Sequence, residues 1–93
     1  MVKHIVFFKL KDKADTAKAI EVLNGMKGKI DGLISLEAGV DFLNSPRSCD
    51  IALTCTLRDR TALEFYQEHP AHEPAKILMK EICSNIACVD YEV

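Results

Sequence analysis

The stretch "KHIVFFKLK", residues 3–11, decides the fold. Val2, His4, Val6, Phe8 and Leu10 fall on one side of an extended chain, and Lys3, Ile5, Phe7 and Lys9 on the other, because successive side chains of a strand point to opposite faces. Both sides are apolar in the middle of the run. A strand with one face in water has no use for Ile5 and Phe7 on that face. The run therefore predicts cover on both sides, only one of which helices of the same chain would supply.

Downstream of this strand, Ala19, Ile20, Leu23, Met26 and Ile30 recur at helical spacing and predict a helix over 14–30, with Asp15 or Thr16 at its start and "DG" at 31–32 breaking it. "LISLEAGVDFL" (33–43) reads as a second strand with Gly39 as a candidate bulge. "NSPRS" (44–48) reads as a loop. "CDIALTCTL" (49–57) reads as a third strand with Cys49, Ile51, Leu53, Cys55 and Leu57 towards the core and Asp50, Ala52, Thr54 and Thr56 on the other face. Asp59 is placed to cap a short helix carrying Ala62, Leu63, Phe65 and Tyr66, which Pro70 and Pro74 interrupt. A further helix over about 74–84 would bury Ile77, Leu78 and Ile82, and "IACVDYEV" (86–93) closes the chain as a strand.

The order β-α-β-β-α-(α)-β is the ferredoxin-like split βαβ pattern, an α+β fold. Its antiparallel sheet has spatial order 4-1-3-2, with helices on one face. The other face would carry Ile5, Phe7, Ala52, Thr54, Val89 and Tyr91, too apolar a patch to stay in water. Two such sheets packed face to face would bury it, which predicts a homodimer.

Composition narrows the possible functions. Ninety-three residues make one domain, 1–93, with a modest core. A net charge of −2 gives no field to attract nucleic acid or an anionic membrane. No apolar run approaches the roughly 20 residues of a membrane span. The N-terminus lacks the apolar core and cleavage site of an export signal, so the expected location is cytoplasmic. Cys49, Cys55, Cys83 and Cys88 form no C-x-x-C pair and sit among apolar neighbours; they read as reduced, mostly buried thiols. There is no glycine-rich phosphate loop, and no cofactor is expected.

Against this background "EFYQEHPAHEPAK" (64–76) stands out, because it concentrates Tyr66, His69, Pro70, His72 and Pro74. His69 and His72 have a spacing that can hold a metal, but Pro70 separates them and no third ligand is apparent, so no metal is expected. With strand four antiparallel beside strand one, Asp90 comes towards His4. Both would lie near the helix that bears His72. A carboxylate that accepts a hydrogen bond from an imidazole fixes its tautomer and raises its basicity. This yields a candidate acid–base set: His72 as base, Asp90 as its orienter, and Tyr66 or His4 as hydrogen-bond donor to a carbonyl oxygen. His69, beyond the break, would be partly exposed and dispensable. The bland alternative stands beside it. Pro70 then ends one helix, His72 or a neighbour caps the next, Tyr66 anchors the turn, and His4 is a satisfied core histidine.

"VKHIVFFKLK" at the start, "FYQEHPAH" in the middle and "VDYEV" at the end resemble the Dabb family, the stress-responsive α/β-barrel domain, over essentially the whole chain. The resemblance implies a dimeric α+β barrel of two ferredoxin-like protomers. Most of the family has no assigned activity. A plant polyketide cyclase of the family closes a linear chain by aldol condensation; its catalytic tyrosine and histidine fall on Tyr66 and His72, and its N-terminal histidine on His4. Where that enzyme has a further histidine this chain has Ile51, so the plant substrate does not carry over. Two functions follow. One is an enzyme of cyclase or lyase type acting on a small carbonyl or polyketide-like molecule. The other is a non-catalytic, stress-related structural or binding protein. An enzyme needs an open cavity reaching the histidines, whereas a structural protein would fill that space with Phe8, Leu23, Phe65 and Ile82.

Overall fold

The computed structural model describes residues 1–93. Four strands, β1 (Val2–Leu10), β2 (Leu33–Val40), β3 (Ile51–Leu57) and β4 (Cys83–Glu92), form one antiparallel sheet in the order β2-β3-β1-β4. This is the predicted 4-1-3-2 arrangement. Three helices, α1 (Thr16–Asn24), α2 (Arg60–Glu68) and α3 (Glu73–Ile82), pack on one face. Single turns of 3₁₀ helix precede α1 at Lys13–Asp15 and α3 at Pro70–His72.

The alternation of β1 holds along its length. Val2, His4, Val6, Phe8 and Leu10 are buried, while Phe7 is exposed and Lys3, Ile5 and Lys9 are half-buried. β1 is a central strand. His4 is paired with Cys55 of β3 on one side and Asp90 of β4 on the other. Between sheet and helices lies a core of Leu23, Met26, Ile51, Leu53, Leu57 and Tyr66 with their neighbours.

Several boundaries differ from the sequence expectation. α1 ends at Asn24, not near residue 30. Turns bonded from residue i to i−3 carry the chain on, as in Met26 N–H to Leu23 C=O at 3.2 Å. They keep Met26 and Ile30 on the buried side, which is why the helical periodicity outlasted the helix. Asp15 stands at the N-cap of α1 as expected but makes no side-chain cap bond; Asp12 caps the preceding 3₁₀ turn, accepting from Ala14 N–H at 2.9 Å. The break at "DG" is real. Gly32 has φ +87°, and a Cβ there would come within 2.7 Å of the Ala62 Cβ. β2 stops at Val40, and its bulge falls between Leu33 and Ser35; Gly39 is paired regularly with Ala52.

β3 begins at Ile51, so Cys49 and Asp50 lie outside it. Asp50 is buried, not on the polar face. Its Oδ2 accepts from Leu10 N–H at 2.7 Å, and Lys9 and Lys13 stand 3.9 and 3.8 Å from Oδ1. It satisfies the backbone where β1 bulges between Lys9 and Leu10 against β4. On α3 the buried residues are Ala75, Met79 and Ile82, whereas Ile77 is exposed. Cys55 and Cys83 are buried, Cys49 is half-buried and Cys88 is exposed, all as free thiols. Cys88 departs from the expectation because β4 is an edge strand that the helices leave largely uncovered. No helix is long and apolar enough to cross a membrane.

Candidate functional site

The turn "HPAH" is built by proline. α2 ends at Glu68, and His69 is extended at φ −69°, ψ 137°, the conformation favoured before proline. The His69 Nδ1 accepts from Ala71 N–H at 3.0 Å, and the backbone of His72 donates to His69 C=O at 2.9 Å. His69 is thus the capping residue of the turn. His72 opens α3 without a side-chain cap bond. The His69 ring packs edge-on against exposed Phe65 at 5.3 Å. The two histidines of the motif therefore serve different neighbours.

The break turns His72 back over α2. Its ring stacks on Tyr66, centroids 4.4 Å apart and 28° between planes. The His4 ring also meets Tyr66, edge-on at 5.5 Å and 63°. Three rings from three elements thus form one column, with fully buried Tyr66 in the middle. The Cys55 thiol reaches the Tyr66 hydroxyl at 3.8 Å.

Asp90 joins the column at His4. Its Oδ1 is hydrogen-bonded to His4 Nδ1 across the β1–β4 pair. The sequence reading assigned Asp90 to His72; the register assigns it to His4, because directly opposed residues of an antiparallel pair share a face. The Nδ1 of His72 is buried with no hydrogen-bond partner. An ionised Asp90 accepts the Nδ1 proton of His4 and so leaves Nε2 as the basic nitrogen of the neutral ring.

Burial sets the protonation states. Desolvation first, then the nearby Cys55 and the negative charge of Asp90, hold the Tyr66 phenol far above its usual range. Burial likewise pushes the Cys55 thiol to about 11, against the opposing effect of its hydrogen bond with Tyr66. For His72, desolvation and then the charge of Lys76 disfavour the imidazolium, more than the Tyr66 and Gln67 carbonyls favour it. At neutral pH, Tyr66 and Cys55 keep their protons and His72 is uncharged.

A cavity of about 350 Å³ opens beside the column between α3, β1 and β4. His4, Tyr66 and His72 lie in its wall, with Phe8 and Leu23. Phe65 turns outward to solvent instead of filling this space, and Ile82 is not in the lining. A larger hollow of about 520 Å³ lies on the helix-free face around Phe7, Arg47 and Cys49; no histidine or tyrosine lines it.

A four-stranded antiparallel sheet with three helices on one face and a column of His, Tyr and His on that same face defines a ferredoxin-like α+β domain with a ring-lined cavity. The model of the stress-responsive A/B barrel domain, Dabb, matches residues 2–93, and the chain belongs to that family. An uncharacterised protein of Streptomyces coelicolor is 30% identical over 97 residues, covering 99% of both chains. A crystal structure of a dimeric, ferredoxin-like protein of unknown function from Bacteroides fragilis superposes with a TM-score of 0.85 at 31% identity, covering 99% of this chain and 95% of that one. The hydroxynitrile lyase of Passiflora edulis matches with a TM-score of 0.84 at 15% identity, covering 99% of this chain and 92% of that one. At that identity the likeness shows the fold alone.

Proposed function

We propose that the protein is a homodimer that binds a small carbonyl compound, polyketide-like or simpler, in the cavity between sheet and helices and moves a proton next to the carbonyl. The observation that carries this reading is the Asp90–His4 bond at the wall of an open cavity. Asp90 orients His4, and His4 Nε2 takes the proton. Neutral His72 and protonated Tyr66 supply polar partners for the carbonyl oxygen as charge develops on it. The roles of the two histidines are thus exchanged relative to the sequence expectation, because the carboxylate partners His4.

The homodimer is supported by the apolar helix-free face and by the dimeric description of the Bacteroides fragilis relative. A second reading, binding without turnover, is favoured by Tyr66. Fully covered, with its hydroxyl against the Cys55 thiol, it meets a ligand only if its surroundings give way.

Deuterium exchange separates the two readings. The protein is incubated in D₂O with enolisable ketones that raise its melting temperature, and proton NMR follows the carbon next to the carbonyl. Proton transfer predicts exchange above buffer, reduced about 10²–10⁴-fold by His4→Ala and substantially by Asp90→Asn. Ketones that bind but do not exchange would leave the binding reading in place and remove the catalytic one.

A further inference from the structure

The lining of the cavity beside the ring column is unbalanced in charge. Its only charged residues are Lys76 and Lys80, and no carboxylate lines it. In a chain of net charge −2 this is a local departure. The lysines stand four apart on α3, so they share one face of the helix. Asp90, which reaches the lining residue His4, is engaged by it.

Lys76 is held in place by a hydrogen bond from its ammonium to the Gln67 carbonyl near the end of α2. Lys80 is exposed and makes no ion pair or hydrogen bond. Deeper in, the wall is apolar, with Val6, Phe8, Leu23, Leu53 and Met79 buried. Opposite α3, the exposed Ile86 and Cys88 of β4 extend the apolar surface outwards.

We infer that the cavity selects amphipathic carboxylates: an apolar body lies against Val6, Phe8 and Met79, and a single anionic head sits at the rim between Lys76 and Lys80. This rests on the reading above that the cavity takes a small molecule, and narrows it to a carboxylate-bearing one. The apolar wall supplies affinity through buried surface. The lysines supply discrimination, since a neutral head group forgoes the charge pairing and a cationic one is repelled. A head group at the rim keeps much of its hydration, so it avoids the large cost of burying an ion. About 350 Å³ suits a medium-chain or single-ring acid and lies near the small end of ligand sites.

The test compares octanoate with octanamide, which have the same body and differ in the charge of the head. Titration of nitrogen-15-labelled protein gives both affinity and location, the latter from amide shifts at Met79, Ile86 and Cys88. Octanoate should bind roughly three- to tenfold tighter than octanamide, and added salt should narrow the gap. In Lys76→Gln/Lys80→Gln the gap should close while octanamide binding is unchanged. Lys80→Gln alone should close part of it without touching the Lys76–Gln67 bond. Equal binding of the two ligands, or a preference that survives the double substitution, would overturn the carboxylate assignment and leave the cavity reading standing. If neither ligand shifts these amides, both fall.

Discussion

Val6 and Phe8 of β1 are 7% and 5% exposed beneath the helices, whereas Phe7 between them, on the opposite face, is 44% exposed. On β4 the pattern continues: Val89 and Tyr91 share the face of Phe7 and are 55% and 46% exposed. The two faces have similar side chains and different cover. The helix side is a finished core, closed by the chain that makes it. The open side is an apolar surface of comparable character, interrupted by threonines and by Lys3, whose ammonium is tied to Thr56 at 2.9 Å. A surface of that kind marks an interaction site. One strand thus encodes the fold on one side and offers the face of the proposed dimer on the other, and the two should respond to mutation differently.

The largest expected effect is on the open side. Phe7→Asp puts a charge where the proposed dimer would exclude water, and an unpaired charge there is strongly unfavourable. Sedimentation should show monomer, or chain that no longer folds. A well-folded dimer would break the comparison. Leu53→Ala is the counterpart on the helix side, where Leu53 is fully buried. It should cost about 2–5 kcal/mol in urea unfolding through lost packing and a residual cavity. The wild-type melting temperature should rise with protein concentration, as it must when folding is linked to association. That dependence should vanish in Phe7→Asp and persist in Leu53→Ala. Equal loss of concentration dependence in both would mean that the faces are not separable.

Much of this division was legible in the strands and little of it in the turns. The alternation of residues 2–10 located both faces, and the antiparallel order placed Asp90 beside His4, because strand pairing is a matter of counting once topology is known. The partner of a helix-borne side chain is not counted that way. His72 sits on a turn whose direction depends on how Pro70 redirects the chain, so the sequence could not say which imidazole would take the carboxylate. The capping role of His69 was missed for a different reason. Its geometry is local, but histidine is not among the usual capping residues. Asp50 looked like the polar face of a strand that begins one residue later. Cys88 looked buried from its neighbours, yet its exposure follows from the edge position of β4.

The smallest effect lies within the helix side, between its apolar core and its column of rings. His72 is uncharged in the folded protein, its pKa lowered by burial and then by Lys76. In the unfolded chain a histidine titrates near about 6.5. As the pH falls through that value the unfolded chain takes up a proton that the folded chain refuses. The unfolded state then binds more protons, so stability declines as the pH falls. The decline stops once the lower folded-state pKa has been passed and both states are charged. Above about pH 7.5 neither state is charged at this site and the contribution is flat. His72→Phe keeps a ring against Tyr66 and removes the titration. Wild type should therefore lose melting temperature relative to His72→Phe between about pH 7 and pH 5, while the other titrating groups act on both proteins alike. The apolar core of Leu23, Leu53 and Met79 has no such dependence, so Leu53→Ala should run parallel to wild type over the same range. Parallel curves for His72→Phe as well would mean that the imidazole is solvated in the folded state, and would remove the distinction between the column and the core beside it.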